Sequence, residues 1–281
     1  MSQQTPIDLD DLLDSTVNIP TVPSTLLKLR EICADENSNA DDVAGVIEHD
    51  PAIAAKVLRL VNSSFYALST PVNAINAACT ILGQTVIKNI VVQATVLDAL
   101  DCDGDSDFDV DALWDHSFKT AVATQQLVLA SDLTIGLTRD DAYTCGLMHD
   151  VGKILIKQSA PEEFAAALAM SKQREIPLFE AEQEILGFTH AEAGALLAER
   201  WKLSDELRDA IRFHHTGGLE SPAHVLGLFV HAANSLAHQV ETARASWRPH
   251  LADDDVFEKL EVDAARLDDI RAAVTAAKLE D

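Results

Sequence analysis

Basic residues are scarce in this chain: 21 Lys plus Arg stand against 46 Asp plus Glu, a formal net charge of -25 over 281 residues. Such a surface repels phosphate backbones and anionic lipids at long range, which argues against direct nucleic-acid binding. It leaves room for a local cationic pocket, because a bound metal carries its own positive charge. Cysteine is equally thin. Cys33, Cys79, Cys102 and Cys145 lie far apart and form no C-x-x-C pair, so neither a cysteine zinc cluster nor a disulfide framework is encoded. The acidic start, MSQQTPIDLDDLLDST, lacks the basic-then-apolar order of a secretory signal. The most apolar window, PAHVLGLFVHAANSLAH, is interrupted by His224, His231, Asn234 and His238 and falls short of a membrane span. A soluble protein of the reducing cytoplasm is the expectation.

Internal repeats and convincing strand patterns are missing too, whereas helical patterns run almost throughout. The content of 47% hydrophobic and 24% charged residues is ordinary globular usage and excludes a wholly disordered chain. TVPSTLLKLREICAD places apolar residues at 26, 29 and 32/33 behind Pro23, the spacing of one buried helical face. Asn39 stands three residues before Asp42, a capping-box start. Asp50 precedes Pro51, so the first His-Asp dipeptide, His49-Asp50, reads as a helix junction with Asp50 as N-cap. Thr70-Pro71 and Gly83 punctuate the segment that follows.

DCDGDSDFDVD, from 101 to 111, invites a calcium-loop reading that fails on spacing. Counted from Asp101, the loop needs Gly at 106 and Glu at 112, where the chain has Ser106 and Ala112. A solvated acidic connector between two helical halves is the better reading. Beyond it, ALWDHSFKTAVATQQLVLASDL reads as a long amphipathic helix. TRDDAYTCGLMHDVGKILIKQ reads as one helix that starts at Thr138 and carries the second His-Asp pair, His149-Asp150. Five further helices and an acidic helical tail, DAARLDDIRAAVTAAKLED, complete the expected all-α bundle of many short helices.

Of ten histidines, His116, His149, His190, His214, His215 and His231 lie at ends or polar interruptions of consecutive helices. One such His is ordinarily a hydrogen-bonded core residue. A set on successive helices is the arrangement by which bundles build internal metal sites, and imidazole with carboxylate suits Fe, Mn or Zn. Asp150 is the candidate bridge. Neighbours in a helix diverge by about 100°, so both members of a pair reach one site mainly at a helix end; Thr216-Gly217-Gly218 supplies such an end after His214-His215. Gly152 would let another helix approach closely, and Lys153 would carry a cation on the site's side or out to solvent. His224, His238 and His250 read as surface or packing residues, and a purely structural role for all the histidines stays open.

IPTVPSTLLKLREI, VIEHDPAIAAKVLRLVNSSFYA, PVNAINAACTILGQTVIKNIVV, GLMHDVGKILI, HAEAGALLAERWKLSDELRDAIRFHH and VHAANSLA, in that order, resemble the HDOD branch (HD-related output domain) of the HD superfamily of helical metal-dependent phosphohydrolases. The resemblance covers about 18 to 238 and implies a compact HD-type bundle. It divides the chain into an extension at 1–17, a domain at 18–238 with an N-terminal half (18–100), the connector and an HD-like half (112–238), and a tail at 239–281. It implies a non-catalytic regulatory role in bacterial signalling through protein partners, with a metal or a small nucleotide as further ligands. The alternative is a phosphohydrolase acting on a nucleotide or cyclic dinucleotide. Carried across residue by residue, His116 matches the first ligand of the catalytic relatives, His149-Asp150 the name-giving pair, His190 the next His and His214-His215 the paired His, with Lys153 the following lysine. The closing aspartate falls at Asn234, a much weaker ligand, and the carboxylate one turn before the first His would be Ala112. Asp115 would point elsewhere, and HHTGGLESP does not continue into the Gly-Tyr-Pro motif of cyclic-di-GMP phosphodiesterases. Asp150, His190, His214 and His215 therefore suit one ion, whereas His116, His149 and Asn234 make a poorer second site.

Overall fold

Capping chemistry is the clearest link from sequence to structure. In the computed structural model, Asn39 accepts hydrogen bonds from the backbone of Asp41 and Asp42, while Asp42 accepts one from the Asn39 backbone N–H, so α1 (Ala40–Ile47) starts in a capping box. The structure describes residues 38–49, 51–62, 70–83, 108–133, 139–201, 203–217, 225–240 and 255–277, with single positions elsewhere. The N-cap expected at Asp50, the capping box expected at Thr138 and most of the 101–111 connector lie outside the described residues. His49 is exposed in the turn after α1, its ring Nδ1–H donating to the Gly45 carbonyl at 2.6 Å, as a junction residue should.

Pro51 opens α2 (Pro51–Val61), and α3 (Ile75–Leu82) ends at Gly83, whose φ of 79° suits glycine. These helices pack on one another through Val43, Ile47, Val57, Leu60, Ala78 and Leu82. Asn62 fastens the loop between α2 and α3: its amide donates to the Val72 carbonyl at 2.8 Å, and its side-chain oxygen accepts from the Val72 N–H at 2.7 Å.

The second group of helices is built around α4 (Val110–Ala130), against which α5 (Arg139–Met148), α11 (Val225–Val240) and α13 (Ala264–Ala276) pack. The sequence reads α4 as amphipathic, yet His116, Ser117, Thr120, Thr124 and Gln125 are buried beside Phe118, Val122 and Leu127. A helix covered on several sides is central, and its polar side chains must find work inside. α6 (Val151–Ser159), α7 (Pro161–Arg174), α8 (Leu178–Leu186), α9 (His190–Arg200) and α10 (Asp205–Phe213) wrap the other side. α12 (Val256–Lys259) leads into α13, which is secured by Ser131 Oγ donating to the Leu260 carbonyl and by Arg266 donating to the Ala130 carbonyl, both at 2.6 Å. The fold is all-α, and no strand forms among the described residues.

The single helix expected across His149-Asp150 is two helices, α5 and α6, and the His-Asp pair forms the turn between them. Adjacent side chains that would diverge on one helix converge at this break.

Candidate metal centre

Asp150 sits at the N-terminal cap of α6, 1% exposed, with its two carboxylate oxygens facing different neighbours. Oδ1 lies 3.3 Å from His190 Nε2 and 3.6 Å from His214 Nε2. Oδ2 lies 3.3 Å from His149 Nε2, 3.7 Å from His116 Nε2 and 2.5 Å from Lys153 Nζ. Each helix end delivers its share: His149 and Asp150 from the α5–α6 turn, His190 from the first residue of α9, His214 and His215 from the end of α10, His116 from within α4.

Close approach of α6 and α9 depends on Gly152. A Cβ there would lie 1.9 Å from the His190 carbonyl oxygen and 2.7 Å from the Gly194 nitrogen, so the glycine is what lets His190 reach Asp150. The sequence expectation for Gly152 holds, and Lys153 takes the inward alternative: it is 3% exposed.

The histidine rings are held from behind. Nδ1–H of His149 donates to the Gly146 carbonyl at 2.7 Å, that of His214 to the Ile211 carbonyl at 2.6 Å, and that of His190 to Glu182 Oε2 at 2.6 Å. In the neutral imidazole this leaves the Nε2 lone pair pointing inward, the tautomer a metal ligand requires. Glu182, 0% exposed, also accepts from the His190 backbone N–H at 2.8 Å. It escaped the sequence reading, although its register could have shown it: Glu182 falls midway between Leu178 and Leu186, four residues from each, on the buried stripe of α8.

Electrostatics agree with a ligand role. Burial and the neighbouring histidines hold His214 and His215 well below the usual imidazole range, and burial also lowers His149, so these rings stay neutral. Burial would lower His190 as well, but the Glu182 carboxylate outweighs it and raises that ring. For Asp150, burial is outweighed by His149 and Lys153, which keep the carboxylate ionised far below its ordinary value.

Two ligand clusters result: His190, His214 and His215 on one side, His116, His149 and Asp150 on the other. His231 belongs to neither. Its Nδ1–H donates to the His214 carbonyl at 2.8 Å, so it positions His214. Asn234 is 3% exposed and its Oδ1 has no hydrogen-bond partner among the described residues. His238, read from sequence as a packing residue, stacks on the His116 ring with centroids 4.2 Å apart. His231, Asn234 and His238 repeat at i, i+3 and i+7, one face of α11, so Asn234 lies between a contact to His214 and a contact to His116. Asp115 turns away to Lys119 at 2.5 Å, as the sequence implied.

A metal ion fits this donor set. Asp150 Oδ1 and His214 Nε2 are buried without hydrogen-bond partners among the described residues, and Nε2 atoms of His190 and His215 face each other at 2.8 Å. One ring proton shared between His190 and His215 satisfies that contact, but the buried Asp150 Oδ1 and His214 Nε2, 3.6 Å apart, stay costly unless a cation lies between them.

Fold and site together define an all-helical protein organised around a buried histidine–aspartate centre. The HDOD domain model matches residues 19–217, and the chain belongs to the HDOD domain family. A structure of an HDOD domain protein of unknown function from Geobacter sulfurreducens is 25% identical, covers 95% of each chain and superposes with a TM-score of 0.72. A protein from Shewanella amazonensis, provisionally called a phosphohydrolase, is 26% identical with a TM-score of 0.65, covering 94% of this chain and 96% of its own. An uncharacterized protein of Treponema pallidum is 26% identical over 204 residues, 73% of this chain; the chain spans 39% of that relative's length.

Proposed function

We propose that the chain is a non-catalytic signalling module that acts by binding a protein partner and holds a metal ion within its framework. One observation carries the reading: Asp150 is the single carboxylate in the two ligand clusters that the described residues form. Two-metal hydrolysis needs an ion on each side of the displaced phosphoryl oxygen. Two divalent ions held by one carboxylate and neutral imidazoles would leave a large uncompensated charge in a dry interior. Asn234 and Ala112, at the positions where the resemblance to the catalytic relatives implies carboxylates, leave that deficit unfilled.

The ion would be held by His190, His214, His215 and Asp150, with Glu182 and the Ile211 carbonyl fixing the rings from behind. Fe, Mn or Zn in such a site supplies Lewis acidity and ties together the helices that carry its ligands. α6, α9 and α10 provide those ligands, so the loaded site would set the relative position of three helices and with it the surface a partner meets. No described helix is long and apolar enough to cross a membrane. The acidic balance favours a protein with a basic face as partner.

The rival reading, hydrolysis of a nucleotide or cyclic dinucleotide, is favoured by the retained histidines and by the provisional name of the Shewanella relative. Turnover assays separate the two. Protein loaded with Mn, Fe or Zn should hydrolyse nucleotides and cyclic dinucleotides no faster than an Asp150→Ala protein. Turnover that depends on Asp150 would overturn the non-catalytic reading and leave the metal in place.

A further inference from the structure

α8 backs both rings of the facing pair His190 and His215. Glu182 accepts from His190 Nδ1–H at 2.6 Å, and Phe179, one turn earlier on the same face, stacks on the His215 ring with centroids 4.4 Å apart and planes 22° from parallel. The two imidazoles meet through their Nε2 atoms at 2.8 Å, so one short helix supports the whole pair. Its other side reaches solvent, where Glu180, Gln183 and Glu184 are exposed.

Exposure of the ligands points the same way. His116, His149, Asp150, His190 and His214 are at most 2% exposed, whereas His215 is half-buried, and so is the Phe179 ring that lies on it. The crossing of α6 and α9 at Gly152 has no room even for a Cβ, so backbone shuts that side. The His215 side is shut by two side chains, which can rotate.

We propose that Phe179 is the gate of the buried centre: its ring closes the His215 side, and a metal ion enters and leaves there as the two stacked rings swing apart. The inference rests on the reading that the centre holds a metal. An imidazole binds a metal through a lone pair in the plane of its ring, whereas Phe179 covers the ring's face, so stacking and coordination do not compete. Phe179 therefore contributes to the barrier and not to the ligand set. Removing its ring should speed arrival and departure together and leave their ratio, the affinity, nearly as it was. An aromatic stack of this kind is worth about three- to tenfold in the equilibrium between closed and open.

Zinc exchange in the full chain tests this. Protein loaded with Zn2+ of natural composition is mixed with an excess of one enriched zinc isotope, desalted at intervals and read by elemental mass spectrometry; affinity comes from competition with a chromophoric chelator. Phe179→Ala should exchange about three- to tenfold faster than wild type, with an affinity within about twofold. Phe179→Tyr, which keeps the flat ring, should exchange as wild type does. Phe179→Leu keeps apolar bulk without the ring and serves should the Ala protein fail to fold, with circular dichroism as the check. An unchanged exchange rate in the folded Ala or Leu protein would overturn the gate and leave the metal reading intact. So would an affinity that falls in step with the faster exchange, the mark of a residue that positions His215 without admitting the ion. His238, half-buried, stacks on His116 at the far end of the centre. Faster exchange in His238→Ala with none in Phe179→Ala would overturn the assignment by placing the entrance at α11. No zinc retained by the wild type would overturn the metal reading and this inference with it.

Discussion

The same substitution, Gly to Ala, should have opposite effects at two positions of this fold. At Gly152 the added Cβ would lie 1.9 Å from the His190 carbonyl oxygen, 2.7 Å from the Gly194 nitrogen and 2.8 Å from the His190 carbonyl carbon. All three are backbone atoms, so no side chain can rotate away, and relief requires α6 and α9 to separate. Overpacking of this kind costs ~1–3 kcal/mol when side chains yield, and a backbone clash belongs at or above the upper end. At ~2–4 °C per kcal/mol for a chain of this size, Gly152→Ala should lower the Tm by at least about 6 °C. It should also weaken metal retention, because His190 is the residue displaced. At Gly45, exposed on α1, a Cβ meets nothing within 4 Å. Gly45→Ala should be neutral or stabilise by up to ~1 kcal/mol through helix propensity. Differential scanning fluorimetry of both proteins, with and without added metal, gives the comparison. A Gly152→Ala protein that melts within about 2 °C of wild type and retains its metal would refute the packing argument.

Glu182→Gln keeps the shape but removes the charge behind His190; metal affinity should fall ~10–100-fold, with the fold unchanged by circular dichroism, and an unchanged affinity in a competition assay would show that Glu182 is only a packing residue. In metal-free protein, His149, His214 and His215 are depressed in the folded state, so the unfolded chain takes up more protons once pH falls below about 6.5, the ordinary imidazole value. Stability should therefore decline from pH 7.5 to 5.5, read as the urea midpoint; His190, which is raised, contributes with the opposite sign, as stability lost when pH rises through its folded value. A midpoint that holds or rises as pH falls would contradict this assignment.

Much of the fold was legible because local chemistry and tertiary packing agree. Asn39 and Asp42 cap α1 as their spacing predicts, and Gly217, at a φ of 71°, lies in the turn after the His214-His215 helix. The break at His149-Asp150 was not legible, because no proline and no glycine at the break itself marks it and the apolar positions run on from Cys145 through Met148 to Val151 with helical spacing. Only tertiary packing, with α6 drawn against α9 at Gly152, decides it. The polar side chains of α4 misled in a similar way: Thr120 and Thr124 suggest a solvent face, but α5, α11 and α13 cover that helix. For the site, the recurrence of histidines on successive helices and the helix end after His214-His215 drew attention to residues that the structure gathers near Asp150. The residues behind them, Glu182 and the Gly146 and Ile211 carbonyls, are defined by contacts between helices or turns and leave only a weak mark on sequence. His238 was set aside for want of a motif, and the i, i+7 relation to His231 is the signal that places it beside His116.

The buried histidine–aspartate centre is expected to hold one metal ion. Elemental mass spectrometry on untagged protein purified without chelators, beside an Asp150→Ala control, tests it directly. About one Fe, Mn or Zn per chain, lost in the control, is the predicted result. Two ions per chain, or no metal above the control, would contradict it.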